Sequence, residues 1–102
     1  MPKRLTAAQI ESYRKHGFCF PVPVLSADET AACRADLERY ERQIGRPLDF
    51  PEKSKPHLLF DWADRVAHHS TVLDAVEDLI GPDILLYHIT LWTKEAGQPA
   101  YV

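Results

Sequence analysis

Five histidines, two cysteines and a scatter of lysines and carboxylates are the side chains here able to do chemistry. His57 and Asp61 stand four residues apart, the spacing that sets two metal ligands on one helix face. Pro56 and the apolar run Leu58, Leu59, Phe60 argue against a continuous helix there, so the pair is a poor ligand set. His68 and His69 precede Ser70, a helix-capping residue type, and read as exposed histidines at a helix boundary. Cys19 and Cys33 fall in different elements without a C-x-x-C or zinc-type spacing, which reads as two reduced thiols packed as small hydrophobes. Lys94 beside Glu95 is a pair of opposite charges at the end of an apolar run, most simply surface decoration.

The elements that must position these groups announce themselves by capping chemistry. Thr6 with Gln9 three residues on, and Ser26 with Glu29, are capping boxes in which side chain and backbone satisfy each other's free groups. Gly17 and Gly45 are the matching left-handed stops. These signals predict helices over about 6–16 and 26–44, the second carrying a solvated face of Arg34, Asp36, Glu38, Arg39, Glu41 and Arg42. Between them, Phe18 to Val24 carries Pro21 and Pro23, so it reads as an edge strand or extended connector. Residues 46–55 form a polar loop, and Trp62 to Ala67 reads as one or two helical turns. Ser70 is the expected cap of a helix over about 70–80, whose apolar stripe is Val72, Leu73, Val76, Leu79 and Ile80. Gly81-Pro82 stops it.

Residues 83–95 carry the strongest strand pattern. Ile84, Leu86, His88, Thr90 and Trp92 share one parity and Leu85, Tyr87, Ile89, Leu91 and Thr93 the other, so both faces are largely apolar and burial on both sides is expected. After the turn Ala96-Gly97-Gln98-Pro99 come only Ala100, Tyr101 and Val102, a return too short to pair with such a strand. The expectation is therefore a truncated domain.

Composition narrows the functions. At 102 residues, 45% hydrophobic and 26% charged, the chain has ordinary globular character. A net charge of −3 gives no basic surplus for a phosphate backbone, so nucleic acid is not an expected partner. No apolar run approaches the roughly 18 residues of a membrane span, and the N-terminus has no apolar signal core. The expected compartment is cytoplasmic.

Four stretches, in order, resemble the opening of phytanoyl-CoA dioxygenase family enzymes. They are Leu5-Thr6-x-x-Gln9-x-x-x-Tyr13-x-x-x-Gly17-Phe18 with Val22-Pro23-Val24-Leu25-Ser26; Lys55-Pro56-His57-Leu58-Leu59-Phe60; Leu73-Asp74-Ala75-Val76-Glu77-Asp78-Leu79-Ile80-Gly81-Pro82-Asp83-Ile84-Leu85; and the run ending Lys94-Glu95 with its Gly97 and Pro99 turn. The resemblance implies an α+β chain: the N-terminal helices and first core strand, residues 83–95, of a double-stranded β-helix (jelly-roll) oxygenase over 1–102. It implies Fe(II) and 2-oxoglutarate as cofactors of the full-length enzyme, a small-molecule substrate, and Lys55 and Thr90 as residues near 2-oxoglutarate. A lysine simply in solvent remains the alternative for Lys55, and a packed core the alternative for the face of His88, Thr90 and Trp92.

The family's iron is held by an H-x-D pair and a distant histidine, two imidazoles and a carboxylate on one face of the metal. None of His16, His57, His68, His69 and His88 is followed two places later by aspartate. The resemblance thus implies a parent dioxygenase hydroxylating a small metabolite or acyl substrate, with neither cofactor expected to bind this chain alone. The competing expectation is a non-enzymatic small α+β module that associates through the exposed strand, with itself or another chain.

Overall fold

The computed structural model of the chain describes residues 2–99; the expected short return at residues 100–102 lies outside them. Four α-helices run in order: α1, Ala7–His16; α2, Ala27–Ile44; α3, Asp61–Ala67; and α4, Ser70–Ile80. A single 3₁₀ turn, Pro56–Leu58, precedes α3.

Both capping boxes form. Thr6 Oγ1 accepts the Gln9 N–H at 3.1 Å while Gln9 Oε1 accepts the Thr6 N–H at 2.9 Å. Ser26 and Glu29 repeat the exchange at 3.1 and 2.9 Å. Each satisfies two N–H groups that a helix start leaves without partners. Gly45 closes α2 at φ 70°, where a side chain would be strained. Helix α4 spans the expected residues, but its capping residue differs. Its cap is His69, whose Nδ1 accepts the Thr71 N–H at 3.1 Å, and Ser70 is already helical.

The N-terminal segment is pinned to α4 by one carboxylate. Asp78 accepts the backbone N–H groups of Lys3, Arg4 and Leu5 at 2.8, 2.7 and 2.7 Å. This holds Leu5 in the core at 5% exposure. Among the described residues the other buried apolar side chains are Leu48, Ala63, Ala75 and Pro56, of which Pro56 is fully enclosed. Helix α2 buries none of its residues. It is held by the Tyr40 ring edge-on to Phe60 at 4.9 Å and by two polar links, Asp36 to Arg65 at 3.3 Å and Glu29 to His69 at 2.6 Å. No helix among the described residues is long and apolar enough to cross a membrane.

The expected α+β class with an early jelly-roll strand is corrected here: the chain is helical, and no strand or sheet forms among the described residues. Residues 83–95 meet other backbone at one isolated antiparallel bridge, Ser54 to Thr90. The reason lies in the partner segment. Lys53 and Ser54 spend their own N–H groups on a turn, bonding the carbonyls of Asp49 at 3.2 Å and Pro51 at 3.0 Å. Lys55 then swings into the left-handed region at φ 53°, and Pro56 opens the 3₁₀ turn. Neither direction leaves extended chain to lengthen the ladder, and alternating apolar residues make a strand only where a neighbour supplies hydrogen bonds. The expected burial on both faces fails with it, leaving Leu85 87% and Tyr87 92% exposed. The Phe18 to Val24 stretch is an irregular connector rather than an edge strand, with Phe18 and Phe20 stacked and largely exposed.

Candidate functional site

The bridge between the loop before α3 and the extended segment after α4 joins Ser54 to Thr90, one of the two residues singled out as cosubstrate contacts, and the other, Lys55, is Ser54's chain neighbour. Its hydrogen bonds come from the flanking residues. Lys55 N–H donates to the Ile89 carbonyl and Leu91 N–H donates to the Lys53 carbonyl, both at 2.8 Å. That pattern makes Ser54 and Thr90 a non-hydrogen-bonded antiparallel pair, the type in which facing residues approach most closely. Lys55 and Thr90 are thus brought together, with Ser54 directly opposite Thr90.

Lys55 is exposed and Thr90 half-buried. The left-handed backbone at Lys55, φ 53° and ψ 52°, is unusual for a lysine, and the neighbouring bridge and 3₁₀ turn hold it there. A lysine and two hydroxyl residues neighbouring in register are residue types that suit a carboxylate, which takes a cation together with O–H donors.

Hollows flank the bridge. On one side a cavity of about 430 Å³ is bordered by Phe50, Lys53, Leu91, Trp92 and Gln98. Its rim carries Arg46, which donates to Glu52 Oε1 at 2.6 Å. That contact comes first in holding the buried Glu52 carboxyl below the usual glutamate range, with the Glu52 and Asp49 backbone N–H groups adding to it and burial opposing. The same carboxylate raises the Arg46 guanidinium. Glu52 Oε2 lacks a well-aligned hydrogen bond of its own, so those N–H groups act at looser geometry than the arginine. On the other side lies a larger apolar groove of about 780 Å³ between α3, α4 and the segment at 82–91.

The other candidates separate. His57 sits in the 3₁₀ turn and Asp61 opens α3, so no single helix face holds them, and His57 Nδ1 is buried without a partner. His68 is exposed, but His69 is not the idle surface histidine expected from sequence, since it caps α4 and reaches Glu29. His88 is exposed beside Tyr87, with ring centres 6.4 Å apart. Trp92 borders the smaller hollow. Cys19 and Cys33 are free and half-buried. Among the described residues, no three His, Cys, Asp or Glu side chains converge to hold a metal ion, so these residues do not fit an iron centre.

Ser54 carries no mark in the sequence that sets it apart. Its only signal is adjacency to Lys55, and register against Thr90 is a long-range property with no local mark. No family model, curated protein or solved structure matches the chain.

Proposed function

We propose that this chain is the 2-oxoglutarate-contacting part of an Fe(II)- and 2-oxoglutarate-dependent dioxygenase that hydroxylates a small metabolite or acyl substrate in the cytoplasm. The observation supporting this reading is the meeting of Lys55 and Thr90 at the Ser54–Thr90 bridge. Two residues far apart in sequence, selected on resemblance alone, share one corner of the molecule.

In this reading the Lys55 ammonium pairs with a carboxylate of 2-oxoglutarate, and the Thr90 hydroxyl, with Ser54 facing it, donates to a carboxylate oxygen. The left-handed backbone of Lys55 lies next to the bridge, and in this reading its exposed side chain reaches the dicarboxylate from there. When bound, 2-oxoglutarate supplies the electrons for reducing dioxygen through its own oxidative decarboxylation. The iron ligands are not among the described residues, so the present chain's task is confined to holding and orienting the dicarboxylate.

The test begins with the codons that continue this reading frame. The expected finding is an H-x-D motif shortly after residue 102, then a distant histidine followed by a basic residue. In the protein so encoded, Lys55→Met and Thr90→Val are each expected to weaken 2-oxoglutarate binding about tenfold, the worth of one charge-assisted hydrogen bond. A stop codon with no such motif, or 2-oxoglutarate affinity indifferent to both substitutions, refutes the proposal.

A further inference from the structure

The starts of α2 and α4 are joined by an unbroken run of hydrogen bonds. The Ser26 N–H donates to Glu29 Oε1 at 2.9 Å, Glu29 Oε2 accepts from His69 Nε2 at 2.6 Å, and His69 Nδ1 accepts the Thr71 N–H at 3.1 Å. His69 thus uses both ring nitrogens, one as donor and one as acceptor, an arrangement that belongs to the neutral imidazole. A histidine cap differs from a serine or asparagine cap in one respect. Its acceptor is also the atom that takes up the next proton, and imidazolium, with N–H on both nitrogens, accepts nothing in any rotamer.

The charges around the ring decide what protonation does. Glu29 faces it from α2, and its carboxyl is held below the ordinary glutamate range, first by the Ser26 N–H and then by His69, so it stays ionised as the ring gains charge. Asp28, in the same first turn of α2, is exposed. From α3, Asp64 lies 3.4 Å from the neighbouring His68 ring, and Arg65 pairs with Asp36 at 3.3 Å. Helix α4 has no acidic side chain in its first turn and presents its own positive end, which opposes a cation at the cap. A proton on Nδ1 therefore turns the Glu29 contact into an ion pair and sets one N–H against another at Thr71.

We infer that His69 is a proton-operated latch at the start of α4: neutral, it caps the helix and ties it to α2; protonated, it keeps Glu29 and releases the cap. The Thr71 N–H is part-buried, so water replaces the lost acceptor poorly. Release loosens the turn that carries Val72 and Leu73, two of the residues lining the groove between α3 and α4. The tie to α2 and the order of α4 thus respond to acid in opposite senses, which a general loss of stability does not produce. This inference stands apart from the 2-oxoglutarate reading.

The test is an NMR titration of the full-length protein from about pH 8 to about pH 5, the range in which histidines ordinarily change charge. As the His69 ring takes up its proton, protection of the Thr71 amide, corrected for the intrinsic pH dependence of exchange, is expected to fall about fivefold, the worth of a single cap. The Ser26 and Glu29 amides should keep their protection. His69→Asn, whose side-chain oxygen caps without titrating, should hold Thr71 protection constant over the same range. A Thr71 amide unchanged through the ring's titration overturns the proposal, as does an equal fall in His69→Asn or a ring that stays neutral throughout. So does a joint loss of protection at Ser26, Glu29 and Thr71, which would mean that the two helix starts open together in acid.

Discussion

Leu5 and Asp78, 73 residues apart in sequence, are joined by a 2.7 Å hydrogen bond from the Leu5 N–H to Asp78 Oδ2. The neighbouring N–H groups of Arg4 and Lys3 converge on the same carboxylate. The Leu5 contact is the first cause of an Asp78 pKa held below the ordinary aspartate value; the Lys3 and Arg4 N–H groups reinforce it and burial opposes it. Because the folded-state pKa is the lower one, the carboxylate's contribution to stability is complete above the unfolded value of about 4 and disappears as pH falls through the folded value. Asp78→Asn should therefore lower the thermal midpoint at neutral pH, with the gap to the parent closing in acid. Melting both proteins across that range checks this; a gap that persists in acid contradicts it.

Lys55 gives an opposite expectation for stability and binding. A non-glycine residue in the left-handed region carries roughly 1–2 kcal/mol of strain, offset in part by the greater unfolded-state freedom of glycine, roughly 0.5–1 kcal/mol. Lys55→Gly should be neutral or more stable by up to about 1 kcal/mol while losing the ammonium assigned to 2-oxoglutarate. Urea unfolding measures the first effect. A clear destabilisation would mean that the lysine side chain holds the turn together.

Ser26→Ala removes the hydroxyl that accepts the Glu29 N–H at the start of α2. The expected loss is about 1 kcal/mol, the usual worth of a capping side chain. Since α2 buries none of its residues, little packing can compensate. Denaturant melts of the variant should show a lower midpoint with an unchanged slope.

His69 must adopt a defined tautomer when neutral. Its Nδ1 accepts the Thr71 N–H, leaving the proton on Nε2, 2.6 Å from Glu29 Oε2. Nitrogen-15 chemical shifts of the ring should report the Nε2–H form, and a dominant Nδ1–H form would contradict the cap. His69→Asn should retain capping of α4, because asparagine is a strong cap, while loosening α2 from α4.

How much of this was readable in advance depends on range. The boxes at Thr6–Gln9 and Ser26–Glu29 are written within four residues, so the starts of α1 and α2 were legible, as were their glycine ends. The span of α4 was legible too, but its cap is the His69 ring rather than Ser70. The expected strand over 83–95 does not form because alternation specifies faces and says nothing about partners; here Lys55 and Pro56 turn the bridging segment away. Lys55 and Thr90 were named as a pair by resemblance, whereas Ser54 emerges only when the Lys53–Lys55 and Ile89–Leu91 backbones are seen in register.

The attachment of α2 has a consequence for the conditions in which the protein works. Beside the Tyr40–Phe60 ring contact, this longest helix is tied to its neighbours by the Asp36–Arg65 ion pair and by the Glu29–His69 hydrogen bond, which is an ion pair only when the imidazole is protonated. Such pairs weaken as electrolyte shortens the reach of charge to about 8 Å near physiological ionic strength and about 3 Å in molar salt. The grip on α2 therefore follows the saltiness of the medium. In concentrated brine the helix keeps its own caps and shape while its Asp36–Arg65 tie to α3 loosens.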